Sequence, residues 1–164
     1  MDPRRTLVLT LLPVLAHVSA ISAQELDELV AAGRYEDAAA ALADAGPEEA
    51  QAGATMIYQH AYSNRFQSGA WADAIRGFSA ARQVPHLNER QRQMFDFWHA
   101  SALVNTVRGD TIAPRDLTDT EAVAMLEQAY DLLLAARDYA AGINMSSLSV
   151  NVGRMLDQRL PGVR

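Results

Sequence analysis

The amino-acid sequence predicts an all-α protein, and three observations support that fold class. Beyond the N-terminal segment the chain is crowded with Ala, Leu, Glu, Gln and Arg, which are strong helix formers. β-Branched residues, which favour strands, are sparse until the C-terminal stretch. Glycines and prolines, which commonly mark helix ends, divide the sequence into segments of helix length. We therefore expect a single all-α domain over residues 24–164.

The first four predicted helices each end at a glycine or ahead of a proline. They cover 24–32, 35–45, 47 to about 67, and 71–83. Gly33 and Gly46 follow the first two helices as C-terminal stops. Pro47 suits the first turn of the third helix. The fourth helix ends before Pro85 because the residue preceding a proline avoids the α region.

The later helices are predicted from capping boxes, in which an N-cap side chain and a Glu or Gln exchange hydrogen bonds with the backbone. Two residue pairs have this spacing: Asn88 with Gln91, and Thr118 with Glu121. They begin a fifth helix, which ends at Gly109, and a sixth, which follows a predicted loop at 111–117. A seventh segment, 139–160, combines helical spacing with a strand-like alternation at 148–152. We predict a helix there because the sequence offers no other strand to pair with it.

Residues 1–23 have the three parts of a secretory signal peptide. Two arginines near the start are followed by an apolar run over 7–18 and then by small residues. The run is shorter than the roughly 20 residues that span a bilayer. We expect cleavage after Ala23, with Ala20 as the alternative, and a periplasmic or secreted bacterial protein. The competing interpretation is an uncleaved anchor or a buried first helix.

Composition excludes several classes of function. The formal net charge is −6, and it becomes −7 once a leader with two Arg and one Asp is removed. An acidic domain is repelled by nucleic acid and by anionic lipid. The chain has no cysteine, which excludes disulfides, thiolate metal sites and lipid attachment after the leader. It also has no lysine, which excludes Schiff-base chemistry and lysine-cradled phosphate.

The chain contains a faint internal repeat. Residues 33–38 (GRYEDA) parallel residues 69–74 (GAWADA) at an offset of 36. Three segments also place two alanines seven residues apart with a large apolar residue between them: Ala38, Leu42 and Ala45; Ala74, Phe78 and Ala81; Ala122, Leu126 and Ala129. Small residues let a neighbouring helix approach closely and the large residue fills the gap, which is what a stacked helical hairpin requires.

With these features the sequence resembles the tetratricopeptide repeat family, whose unit is an antiparallel helix pair of about 34 residues. The best copy covers 55–83, with Tyr58 at the aromatic position of the first helix, and Trp98 is matched to that position in the next copy. The next alanine offset, from Ala74 to Ala122, is 48 and departs from the family period. The resemblance implies a right-handed array of two to three hairpins plus a C-terminal helix.

The resemblance also implies where a partner binds, since the first helices of such arrays line a concave groove. The residues expected there are Gln59, Ser63 and Phe66 in one unit, and Asp96, His99 and Leu103 in the next. Phe66 and Leu103 would be partly exposed apolar anchors for a peptide segment or helix of another protein. The imidazole of His99, one turn from Asp96, would favour its charged form. The lysine-and-asparagine clamp that some members use for a peptide C-terminus is missing.

No catalytic site is predicted. The sequence contains no nucleophile elbow, phosphate-binding loop, dinucleotide fingerprint or zincin motif. Asp96 and His99 could offer two metal ligands, but no third is evident, so we predict neither a metal nor a cofactor. The main alternative to an interaction module is a helical small-ligand carrier with an aromatic-lined pocket. A third alternative is an enzyme that uses Asp96 and His99 as acid and base.

Overall fold

The computed structural model describes residues 21–109 and 117–159, and it confirms the all-α prediction. These residues form eight α-helices: α1 (Ala23–Ala31), α2 (Tyr35–Ala41), α3 (Pro47–His60), α4 (Trp71–Gln83), α5 (Glu89–Arg108), α6 (Asp119–Ala135), α7 (Arg137–Gly142) and α8 (Ser147–Arg159). A π-helical turn, Ala61–Phe66, continues α3. No strand occurs among the described residues. Most of the predicted leader and of the predicted loop at 111–117 lies outside them.

The helix ends follow local chemistry, as predicted. Asn88 and Thr118 both cap their helices, and each exchanges backbone hydrogen bonds with the Gln or Glu three residues on. A third capping box, which the sequence analysis missed, begins α1: the Glu25 backbone N–H donates to Ser22 Oγ at 3.2 Å, and the Ser22 N–H donates to the Glu25 carboxylate at 3.0 Å. The bounds of α4 agree with the prediction, whereas α2 ends at Ala41.

The prediction of one C-terminal helix over 139–160 is wrong in detail. The segment is divided into α7 and α8 by a turn in which Asn144 has a φ of 58°. Asparagine is one of the few residues that adopt this left-handed conformation readily. The chain therefore reverses at Asn144, so that α7 packs on α5 and α8 packs on α6.

Four helix pairs share one turn geometry, and we call their members first helices (α1, α3 with its π-helical turn, α5, α7) and second helices (α2, α4, α6, α8). Each first helix is followed by a residue with positive φ: Gly33 (72°), Gly69 (80°), Gly109 (80°) and Asn144 (58°). At three of these turns the backbone makes both hydrogen bonds of a Schellman motif. At Gly69, for example, the N–H of Gly69 donates to Phe66 O and that of Ala70 to Arg65 O.

The pairs pack against one another in chain order. The two helices of each of the first three pairs pack on each other, whereas α7 makes few contacts with α8. Between pairs, α1 packs on α3, α2 on α4, α5 on α7 and α6 on α8, and α4 packs extensively on α5. The alanines and large residues of the repeated pattern, Ala45 excepted, are at most 1% exposed, which confirms that these faces are buried. Two apolar clusters result, and the side chains of Ile75 and Trp98 contact both. No helix of the described ranges is long and apolar enough to cross a bilayer.

Candidate partner-binding surface

The three predicted residues on the third helix lie together, as expected from their spacing. Gln59 and Ser63 are exposed on α3 and its π-helical turn, and Phe66 is half-buried at the end of that turn. The Phe66 ring contacts the rings of Tyr62, Trp71, Phe78 and Trp98. Phe66 thus belongs to an aromatic surface and not to the closed core.

The three predicted residues on α5 do not share that surface. Asp96, His99 and Leu103 are 5%, 7% and 3% exposed, so the expectation that Leu103 is an open anchor is wrong. The reason is that α5 lies between α4 and α6. Leu103 belongs to the apolar cluster shared with α6 and α8, and Asp96 accepts a hydrogen bond of 2.9 Å from Arg82 Nε on α4.

The expected charged imidazole at His99 is also wrong. Burial lowers the pKa of His99 to about 4, and its Nε2 atom has no hydrogen-bond partner in the described part of the chain. Burial raises the pKa of Asp96, although Arg82 opposes the shift. His99 is therefore neutral near pH 7, and neither group is placed to act on a bound molecule from the surface.

In place of the predicted set, the structure brings together a continuous row of half-buried rings, which we call the aromatic row: Tyr62, Phe66, Trp98 and Tyr139. The centroid of Trp98 lies 4.7 Å from that of Tyr62 and 5.2 Å from that of Phe66, both in edge-on geometry. Trp98 Nε1 donates a hydrogen bond to the Tyr139 hydroxyl at 3.3 Å. The aromatic row thus crosses three consecutive first helices.

The π-helical turn aligns the rings that precede Trp98. In an α-helix a four-residue step overshoots one turn by about 40°, so a stripe of residues spaced by four drifts around the helix. A π-helical turn contains more residues per turn, and a four-residue step then falls closer to one turn. Tyr58, Tyr62 and Phe66 accordingly stack with centroid distances of 5.9 and 5.7 Å and interplanar angles of 20° and 12°.

The sequence contained the signal that locates Trp98 correctly. Trp98 was matched to Tyr58, which is 40 residues earlier, whereas the offset of the second helices is 36. An offset of 36 pairs Trp98 with Tyr62, which is the ring contact observed. The same offset relates Gln91 to Thr55, and Gln91 Nε2 donates to the Thr55 hydroxyl at 3.1 Å. Applied to Tyr58 and Tyr62, the offset of 36 gives Met94 and Trp98 on α5.

An open cleft adjoins the aromatic row at Tyr139. It lies between α5 and α7, has a volume of about 470 Å³ and is lined by Glu89, Arg90, Gln93, Asp138, Tyr139, Gly142 and Ile143. The row itself carries no charged side chain. Burial raises the pKa of the neighbouring Tyr58, so its phenol stays protonated at neutral pH. The surface can therefore offer ring faces and neutral hydrogen-bonding groups to a bound molecule.

A polar cluster that the sequence analysis did not predict joins the first two hairpins. The hydroxyl of the fully buried Tyr35 lies 2.9 Å from His60 Nδ1. Burial, with Arg65 adding to the effect, lowers the pKa of His60. Arg76 donates to the Gly33 carbonyl at 2.7 Å. These contacts link residues at least 25 positions apart, and they serve to hold the Gly33 turn against α3 and α4.

Comparisons with models of known protein families, with curated proteins and with solved structures return no match to this chain. No three His, Asp or Glu side chains of the described residues come close enough together to hold a metal ion. The aromatic row and the residues around it form the candidate functional site.

Proposed function

We propose that this protein is an exported, non-catalytic interaction module that holds a peptide segment or helix of another protein on the aromatic row. The observation that carries the proposal is the continuity of half-buried rings across three first helices. Half-buried Trp and Tyr side chains are the residues that most often supply the binding energy of protein interfaces. A partner that covers the row would remove the remaining exposed ring surface from water. Burial of apolar surface stabilises a complex by about 25 cal/mol for each Å² buried.

The neighbours of the row suit a protein segment. Gln59 and Ser63 are exposed beside it and can donate and accept hydrogen bonds with a backbone. The cleft beside Tyr139 extends the surface and has one arginine and two carboxylates among its lining residues. A segment with an aromatic or aliphatic anchor and neutral polar flanks fits this arrangement best. The net charge of −6 adds a preference for a partner that is not acidic.

The proposal includes a tetratricopeptide-like architecture. It is supported by the repeated left-handed turn after each first helix, by the buried alanine pattern, and by the offset of 36 that relates α3 to α5 in two contacts. The number of helix pairs would then be four, because α7 and α8 occupy the position of a short further unit. In arrays of this kind, the face formed by the first helices is where partners bind.

The carrier alternative receives less support. A carrier needs an enclosed, mostly apolar pocket. The clefts beside Tyr139 and between α2 and α4 are both open to solvent and do not enclose a ligand. An open, ring-lined surface is better suited to a chain segment than to a small enclosed ligand.

Export is the second part of the proposal, and the start of α1 bears on the cleavage site. Ser22 caps α1, and Ile21, the residue before the cap, packs against the first apolar cluster together with Leu26. This is a capping box combined with a hydrophobic staple. Cleavage after Ala23 would remove both features and place an ammonium group on the positive end of the helix. Cleavage after Ala20 would keep both, so we propose Ile21 as the mature N-terminus.

The experiment that tests the function compares two exposed positions. A tagged protein with Ser63→Arg places a bulky side chain beside the aromatic row, and a matched protein with Ala124→Arg places it on α6, a second helix. Both are purified from the native cell envelope, and the co-purified proteins are identified by mass spectrometry. The proposal predicts a protein that co-purifies with the wild type and with Ala124→Arg but not with Ser63→Arg. Equal capture by both variants would refute the proposed face.

A further inference from the structure

The polar cluster between the first two hairpins contains a titratable pair that lies outside the aromatic row. Tyr35, the first residue of α2, is fully buried, and its hydroxyl lies 2.9 Å from Nδ1 of His60, the last residue of α3. The interaction of the same hydroxyl with the guanidinium group of Arg65 raises the pKa of Arg65. Three elements, α2, α3 and the π-helical turn, therefore meet at one phenol oxygen.

The chemistry of these groups sets the direction of the hydrogen bond. A guanidinium group can only donate hydrogen bonds, so the Tyr35 oxygen acts as the acceptor toward Arg65. The Tyr35 O–H is then directed to His60, where Nδ1 accepts it if the ring is neutral and carries its proton on Nε2. A neutral His60 therefore satisfies the hydroxyl donor of a fully buried side chain.

Protonation of His60 would disrupt this arrangement in two ways. Both ring nitrogens of a charged imidazole are donors, so the Tyr35 O–H would lose its acceptor while it remains buried. The new positive charge would also lie near that of Arg65. Burial, with Arg65 adding to the effect, lowers the pKa of His60, whereas Asp27 on α1 opposes the shift. The closed arrangement therefore resists the uptake of this proton.

The other charged side chains around the cluster form pairs with one another. On α4, Asp73 lies 4.0 Å from Arg65 and 3.9 Å from Arg76. On α2, Glu36 lies 3.6 Å from Arg76. These four side chains are 34–61% exposed, so water screens their interactions with the His60 ring.

We propose that the Tyr35–His60 pair is a pH-sensitive latch, which releases the first hairpin (α1 and α2) from the second as the pH falls. The helices that it secures have 9 and 7 residues, too few to be stable by themselves. Release would uncover the sides of α3 and α4 on which α1 and α2 pack. This inference is independent of the function proposed for the aromatic row.

Hydrogen exchange of the backbone amides, followed by mass spectrometry, measures the opening. In the open form His60 has its ordinary pKa of about 6.5, so that form takes up the proton first and closure weakens as the pH falls below this value. After correction for intrinsic exchange rates, the opening constant of the α2 amides should rise about tenfold from about pH 7.5 to about pH 5. At the lower pH it should exceed that of the α5 amides by about tenfold or more, because the hairpin opens without unfolding of the whole domain.

Two histidine variants isolate the latch. His60→Asn offers an amide oxygen that can still accept from Tyr35 but takes up no proton, so the rise should shrink to about twofold or less. His86→Asn is the matched control. His86 is exposed with a φ of 61°, a conformation that asparagine adopts readily, so this variant should keep the rise of about tenfold.

Tyr35→Phe removes the hydrogen bond at every pH. Its α2 amides should therefore open more often than those of the wild type already at about pH 7.5. A wild-type opening constant that is the same at both pH values would overturn the proposal. So would a rise that persists in His60→Asn, a rise that is lost in His86→Asn, or equal opening constants for α2 and α5 at the lower pH.

Discussion

Trp98 on α5 and Tyr139 on α7 are joined by a hydrogen bond of 3.3 Å from the indole Nε1 to the phenol oxygen, 41 residues apart in sequence. The backbone N–H of Tyr139 also donates to Gln93 Oε1 at 2.9 Å, which ties α7 to α5 a second time. These two bonds position a helix of only 6 residues, which is too short to be stable by itself. They also bring the last ring of the aromatic row into line with the others.

The first prediction concerns this bond. Tyr139→Phe keeps the ring and removes the acceptor, so we expect a loss of about 1 kcal/mol in the free energy of unfolding. Tyr62→Phe is the control, since the Tyr62 hydroxyl has no hydrogen-bond partner among the described residues, and it should cost less than about 0.5 kcal/mol. Urea unfolding followed by circular dichroism measures both. Equal losses would show that the bond contributes nothing to the position of α7.

The second prediction concerns the close approach of α4 to the π-helical turn. A Cβ atom at Gly77 would overlap the Cβ of Ala61 and lie 3.4 Å from the Tyr35 ring. Replacing a helical glycine with alanine normally gains up to about 1 kcal/mol. Overpacking a rigid contact costs about 1–3 kcal/mol. Gly77→Ala should therefore destabilise the protein, despite its better helix propensity.

Gly142→Ala provides the matched control, because a Cβ atom there meets nothing within 4 Å. Thermal unfolding should show a lower Tm for Gly77→Ala and an unchanged or slightly higher Tm for Gly142→Ala. If Gly77→Ala were as stable as the control, the packing described for α4 and the π-helical turn would be incorrect.

The third prediction concerns pH. Burial lowers the pKa of His99 in the folded protein to about 4, whereas the unfolded value is about 6.5, so the unfolded chain takes up the proton first as the pH falls. The stability that depends on neutral His99 is complete above about pH 6.5 and is lost between about pH 6.5 and pH 4. When the pH is lowered from about 7.5 to about 5, we expect the free energy of unfolding of His99→Gln to fall less than that of the wild type. Urea unfolding at each pH measures both. Parallel losses would contradict the burial of His99.

The helix ends were predictable because they depend on neighbouring residues. Asn88, Thr118 and Pro85 act within one turn of the chain, and each ends or begins a helix where the sequence analysis placed it. The buried alanine faces were predictable as well, since the small–large–small pattern repeats at a constant spacing. These features need no knowledge of which helices meet.

The candidate site was predicted only in part, because it depends on how helices are rotated against one another. On α3, Gln59 and Ser63 are exposed and Phe66 is half-buried, as expected from their spacing, but α5 presents Trp98 and buries Leu103. Nothing local in α5 distinguishes these two faces, since each carries both polar and apolar side chains. The π-helical turn and the reversal at Asn144 were missed because each depends on the packing of neighbouring helices.

The fourth prediction concerns the mature N-terminus. If the leader is removed after Ala20, N-terminal sequencing of protein from the cell envelope should begin at Ile21. Ser22→Ala should then lower the free energy of unfolding of the mature protein by about 1 kcal/mol, because the cap of α1 is lost. A mature protein that begins at Gln24 would contradict the cleavage proposal, and one that retains Met1 would contradict export.

The central claim is that the aromatic row holds another protein, and photo-crosslinking in intact cells tests it most directly. A benzophenone amino acid at Ser63, which is exposed beside Tyr62, would lie within reach of a bound segment. The same group at Ala124, exposed on α6, provides the control. We predict a discrete crosslinked band of higher mass from position 63, and none from position 124. Bands of equal intensity at both positions, or a band from position 124 alone, would contradict the claim.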